Sequence, residues 1–143
     1  MRNNVVEMFV PDFSRKISRP LLASRVSGGF PSPADDYIET RIDLNRDLIL
    51  HPFATFYARV IGDSMETLIK EGALLVVDRM VETKDRDIVF ARIEDDFCIK
   101  RLRILENGSV WLYPENTSYN PIEIELETDF EVWGKVLHAI QSF

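Results

Sequence analysis

The sequence predicts a compact, curled, mostly-β domain over about residues 41–143, preceded by an extended N-terminal arm over residues 1–40. Three observations carry this reading. Short runs rich in aromatic and β-branched residues recur from Phe53 onward, turn-forming residues separate them, and the first 40 residues hold no sustained helical or strand period.

The arm contains Pro11, Pro20, Pro31 and Pro33 and the Gly28-Gly29 pair. Each proline pushes the residue before it toward extended geometry, and paired glycines leave the backbone loose. Residues 5–10 are compatible with a short strand or turn. The stretch IDLNRDLIL, residues 42–50, fits a short helix or an irregular edge before Pro52. Strand runs follow in FATFYARV, in ALLVV at 73–77 and in IVFARI at 88–93. Glu94-Asp95-Asp96 breaks the last of these before FCIKRLRIL, so residues 87–105 predict a hairpin. Asn107-Gly108 is a tight-turn dipeptide and predicts a second hairpin into SVWLY. PIEIEL and VWGKVLHAI complete a set of six or seven short strands.

At 143 residues, 45% of them hydrophobic, the chain can bury one substantial core. It has no apolar run of 18 residues, and MRNNVVEMFVPDF lacks the long apolar stretch of a secretory signal, so a cytoplasmic protein is expected. A single cysteine, Cys98, rules out an internal disulfide. With two histidines, His51 and His138, no metal or other cofactor is expected. The net charge of -7 is unevenly spread. Residues 1–28 carry five basic and two acidic groups, and residues 29–143 carry twelve basic and twenty-two acidic groups. The larger part should repel bare nucleic acid, which argues against direct sequence-specific DNA binding.

Ser64, in IGDSMETLIKEG, and Lys100, in FCIKRLRIL, are the candidates for chemistry. A serine hydroxyl attacks poorly until a base takes its proton, and a lysine is such a base only when burial lowers its pKa. Gly62-Asp63 marks a turn after the first clear strand. Ser64 there can open a short helical turn in METLIKEG and leave N–H groups for an oxyanion, or it can be an ordinary turn or cap residue. Met65 and Leu68 are expected to anchor the turn. Strand alternation puts Cys98, Lys100, Leu102 and Ile104 on one face, and Lys100 is the charged member of that set. Two readings of Lys100 stand side by side: a stem laid over the core with its ammonium in water, and a desolvated amine able to accept the Ser64 proton.

Other polar residues read more plainly. Asp63 fits a turn residue, since a lysine base needs no carboxylate to select a tautomer. Asp35-Asp36, Asp85 to Asp87 and Glu94 to Asp96 fit solvated loop acids, and Glu123, Glu125, Glu127 and Glu131 a wet surface. Trp111 and Trp133 fit core or interface aromatics, because no basic stripe surrounds them.

Several stretches together resemble the UmuD-like branch of the LexA-like self-cleaving serine peptidases. They are GFPSPADDYIETRIDLN at 29–45, GDSM at 62–65, GALLVVDR at 72–79, DIVFARIEDDFCIKRL at 87–102, YPENTSYNPIEI at 113–124 and VWGKVLHAI at 132–140. The resemblance covers almost the whole chain. It implies a compact, highly curved catalytic β domain, dimeric, with Ser64 as nucleophile and Lys100 as general base. By position it implies a scissile bond at Gly28-Gly29 and a substrate arm including Val26, Ser27 and Phe30. It further implies a RecA filament on single-stranded DNA as activator and a UmuC-like translesion polymerase as partner in SOS mutagenesis. No helix-turn-helix reader segment is apparent, which favours the polymerase-accessory branch over a repressor acting directly on DNA. A general signal peptidase would share the chemistry but calls for a membrane anchor. The chain departs from the family at Gly28, where cysteine or alanine is usual. Glycine costs roughly 0.5–1 kcal/mol more than alanine to order, so slow cleavage is implied.

Overall fold

The computed structural model describes residues 4–10, 12, 18–22 and 38–143. Two compact units emerge: Met1–Pro11 with His51–Phe143, and Asp12–Leu50.

In the smaller unit, β2 (Ser18–Leu22) pairs antiparallel with β3 (Ile38–Asp43). The short helix α1 (Leu44–Leu48) follows directly, inside the 42–50 stretch read as a possible helix. Asp43 caps it, accepting from Asn45 N–H at 3.0 Å, while Asp47 accepts from Asp43 N–H at 2.7 Å.

The larger unit is one eight-stranded antiparallel sheet. Its strands are β1 (Asn4–Phe9), β4 (Thr55–Ile61), β5 (Leu74–Asp78), β6 (Ile88–Ile93), β7 (Asp96–Ile104), β8 (Val110–Tyr113), β9 (Ile122–Ile124) and β10 (Phe130–Ile140), in the spatial order β1-β4-β5-β10-β6-β7-β8-β9. A 3-10 turn over Pro52–Ala54 leads into β4. The mostly-β class holds, and residues 4–9 add an edge strand against β4.

The hairpins fall where the sequence placed them. Ile93 pairs with Asp96 across a two-residue turn in which Glu94 has a φ of 52°. Between β7 and β8, Ser109 N–H donates to Asn107 Oδ1 at 2.9 Å.

The curl comes from β10. Its first half, Phe130–Lys135, pairs with β6, and its second half, Lys135–Ile140, pairs with β5. Register shifts on each side of Lys135 mark the bend. Gly134 sits at that bend because nothing larger fits. A Cβ there would lie 2.8 Å from the Asp78 carbonyl oxygen and from Val77 Cγ1.

Curling buries both faces of the central strands. One cluster gathers Ala58, Val60, Met65, Leu75, Phe90 and Ile99, with Phe56, Phe97 and Trp133 packed against it. The other holds Val89, Ala91, Ile93, Cys98, Leu102 and Leu112. Trp133 is the core-edge aromatic the sequence suggested: its ring meets Phe97 edge-on at 4.7 Å, and Arg79 stacks over it at 4.8 Å.

Candidate active site

The turn carrying Ser64 begins where β4 stops. Gly62 has a φ of 86°, a left-handed conformation that side chains resist, and its N–H donates to Glu71 Oε2 at 2.7 Å. Glu66 N–H then donates to the Asp63 carbonyl at 3.1 Å, and Ile69 N–H to the Met65 carbonyl at 2.8 Å. The METLIKEG stretch is thus a series of turns, with the bond from Ile69 N–H to the Met65 carbonyl closing a single helical-type turn. Its anchors differ by one place. Met65 is fully buried as expected, but Leu68 is 46% exposed and Ile69, at 3%, points inward. The bond from Ile69 N–H to Met65 explains this, since residues four apart on a turn share a face.

Lys100 lies in the middle of β7. Cys98, Lys100 and Leu102 on its face are all buried, as alternation predicted, whereas Ile104 at the strand end is 43% exposed and Ile99 on the opposite face is buried as well. The second core cluster on the other side of the curled sheet accounts for that. Lys100 Nζ comes within 2.6 Å of Ser64 Oγ, and the two residues are 1% and 0% exposed. The lysine therefore does not extend its amine to water. Burial pushes its pKa down to about 8, against a smaller opposing pull from the Cys98 thiol. As an ammonium, Nζ donates to Oγ; as a neutral amine, its lone pair can accept the hydroxyl proton. A serine facing a neutral amine is the arrangement needed to generate an alkoxide nucleophile.

A loop far along the chain closes over this turn. Asn116 N–H donates to the Ser64 carbonyl at 2.9 Å, and Asn116 Nδ2 donates to the Asp63 carbonyl at 3.1 Å. Asn116 Oδ1 accepts from Ser118 N–H at 2.9 Å. Tyr119 OH donates to the Asp63 carboxylate, and that bond raises the phenol pKa. One residue before Asn116, Glu115 accepts from Arg101 Nε at 2.6 Å, and Arg101 Nη1 also donates to the Arg86 carbonyl at 2.7 Å. The sequence reading missed this loop. Pro114, Asn116 and Ser118 are turn formers, so a bend was legible there, but nothing in the string says which turn the bend would face.

Other candidates separate from this centre. Val26, Ser27, Gly28, Gly29 and Phe30 lie outside the described residues. Asp63 is a turn residue as expected, with Tyr119 added as its partner. Asp85 and Asp87 are more than solvated loop acids. Asp85 accepts from Ile104 N–H at 2.8 Å and Arg103 Nε at 2.9 Å, which hold its carboxyl below the usual range, and Asp87 meets Lys135 Nζ at 3.3 Å. His51 Nδ1 lies 2.7 Å from Asp78 Oδ2. Asp78 is wholly buried and also accepts from the N–H groups of Met80 and Val81, at 2.8 and 3.2 Å. That pair ties the start of β4 to the end of β5. Among the described residues no helix is long and apolar enough to cross a membrane.

The chain is 39% identical over 124 residues to Protein SamA of Salmonella typhimurium, spanning 86% of this chain and 87% of that protein. Protein MucA of Escherichia coli is 37% identical over 129 residues, 89% of this chain and 87% of MucA. The LexA repressor of Colwellia psychrerythraea is 34% identical over 123 residues, which span 85% of this chain and 57% of the repressor. Residues 20–137 match the Peptidase S24-like family, and the chain accordingly belongs to that family of self-cleaving serine peptidases.

Proposed function

We propose that this protein cuts its own Gly28-Gly29 bond with a Ser64–Lys100 dyad, and that the processed form, residues 29–143, is an accessory subunit of a UmuC-like translesion polymerase in SOS mutagenesis. The observation that carries the reading is the 2.6 Å approach of Lys100 Nζ to Ser64 Oγ with both residues buried. Kinship to SamA and MucA over most of each chain supports the polymerase-accessory branch.

In the proposed mechanism, residues around Val26 to Phe30 enter the site in extended form, aligned by strand addition to a sheet edge. Seating of that segment over the dyad expels water and favours the neutral amine of Lys100. Lys100 takes the Ser64 proton as Oγ attacks the Gly28 carbonyl. Backbone N–H groups of the turn, including that of Ser64, hold the oxyanion. Lys100 then returns the proton to the amine of Gly29 as the peptide bond breaks, and water hydrolyses the acyl-enzyme at Gly28. A RecA filament on single-stranded DNA acts as coprotease by favouring the arrangement in which the arm is bound. The protein works as a cytoplasmic homodimer, without a cofactor.

Incubation with RecA, single-stranded DNA and a nucleotide, followed by intact-mass measurement, tests the reading. Two fragments covering residues 1–28 and 29–143 are expected. An uncut chain, or a cut at another bond, would overturn it.

A further inference from the structure

Ser64 has a peptide plane on each side of its Cα, and one residue grips both. The Asp63 carbonyl belongs to the plane before Ser64 and accepts from Asn116 Nδ2 at 3.1 Å. The Ser64 carbonyl belongs to the plane after it and accepts from Asn116 N–H at 2.9 Å. Peptide units are planar and trans, so fixing the carbonyl fixes the N–H on the opposite edge. Pinning two consecutive carbonyls therefore sets both backbone torsions of Ser64, and with them the direction of its Cα–Cβ bond. It also aims the Ser64 and Met65 N–H groups away from Asn116. The Asn116 amide is itself held from both ends, since Oδ1 accepts from Ser118 N–H while Nδ2 donates.

The neighbouring residue reaches the other half of the dyad. Glu115 pairs with Arg101 at 2.6 Å, and Arg101 adjoins Lys100 on β7. Two consecutive residues, Glu115 and Asn116, thus connect the strand of the base to the turn of the nucleophile. Tyr119 adds a third tie through the Asp63 carboxylate.

We infer that the Glu115–Tyr119 loop is a strap that sets the reacting geometry, with Asn116 the positioning residue that orients both the Ser64 hydroxyl and the N–H groups facing the developing oxyanion. This deepens the proposed Ser64–Lys100 reading and rests on it. Asn116 touches no reacting atom; it acts through the two peptide planes.

The test reads Ser64 directly in the full-length chain. A fluorophosphonate probe phosphonylates Ser64 Oγ and releases fluoride, while Lys100 takes the hydroxyl proton. Asn116→Asp keeps the backbone N–H and the acceptor for Ser118 but faces the Asp63 carbonyl with an oxygen. Its labelling rate per folded molecule is expected to fall about ten- to a hundredfold, the size of effect that misplacement of reacting groups produces. The midpoint of its pH profile should stay near the Lys100 value of about 8. A merely structural loop would lower the melting temperature and leave the rate per folded molecule intact. Tyr119→Phe, which removes one hydroxyl, should slow labelling severalfold and covers the case in which Asn116→Asp does not fold. Wild-type rates in folded Asn116→Asp, or in Tyr119→Phe should the first variant not fold, would overturn the strap alone. A wild-type protein no more reactive than Ser64→Ala would overturn the dyad reading and the strap with it.

Discussion

Ser64 and Lys100 satisfy each other where neither reaches water, Oγ and Nζ standing 2.6 Å apart at exposures of 0% and 1%. Removing either reacting atom should stop chemistry without disturbing the sheet. Ser64→Ala is expected to fold and to stay uncut in the presence of RecA and single-stranded DNA. Lys100→Arg keeps the positive charge, but a guanidinium with pKa above about 12 is a negligible base near neutrality. Gel analysis of both variants, with circular dichroism to verify folding, checks this; cleavage of either at the wild-type rate would refute its assigned role.

The pH dependence follows from the same lysine. With a pKa of about 8, roughly one Lys100 in ten is neutral at pH 7 and nearly all are by pH 9. Spontaneous cleavage should rise about tenfold over that interval and then level off. A flat profile, or one still climbing steeply above pH 10, would contradict a desolvated base.

Stability should carry the opposite signature of that charge. The unfolded lysine titrates near 10.5 and the folded one near 8, so between these values the unfolded chain holds a proton that the folded chain has released. Stability therefore rises with pH across this window, by about 3 kcal/mol in total. Lys100→Met has no such group. Its stability relative to wild type, from urea unfolding, should decline by about 3 kcal/mol between pH 7 and pH 10.5. A constant difference between the two proteins would show that burial does not depress the lysine.

At the proposed scissile position, Gly28→Ala should speed activated cleavage by about two- to fivefold, the kinetic equivalent of the roughly 0.5–1 kcal/mol saved in ordering the chain. Time courses by mass spectrometry would read this. A slower alanine variant would mean that the pocket beside Ser64 has no room for a methyl group.

Gly134→Ala should destabilise the fold by about 1–3 kcal/mol, because the new methyl would press on the Asp78 carbonyl and Val77 Cγ1, each 2.8 Å away. Thermal unfolding measures it. A melting temperature equal to that of wild type would mean that β10 is freer to shift against β5 than its register implies.

Much of this was legible in the string because it is local. Alternation placed Cys98, Lys100 and Leu102 on a buried face, Asn107-Gly108 marked a hairpin, and Gly62-Asp63 marked the turn before Ser64. What stayed hidden depends on partners distant in sequence. Alternation says which face a residue takes but not which strand lies beside it, so the place of β10 between β5 and β6 left no mark. Nor did the approach of Asn116 to Ser64 or of Glu115 to Arg101. The exchange of Leu68 for Ile69 as an anchor is a smaller failure of the same kind, since both are apolar and only the turn geometry decides between them.

The position of β10 bears on the order in which the sheet can close. Ser64 follows β4 and Lys100 lies on β7, in opposite halves of the sheet; among the described strands β10 is the one laddered to both halves, while the Asn116 N–H bond to the Ser64 carbonyl ties them separately. β10 is also the strand a ribosome would deliver after every other one in the sheet. A nascent chain long enough to display both residues still lacks the strand that completes the sheet between them. The sheet therefore closes only when β10 arrives; until then the Glu115–Tyr119 loop is what ties the Ser64 turn to β7.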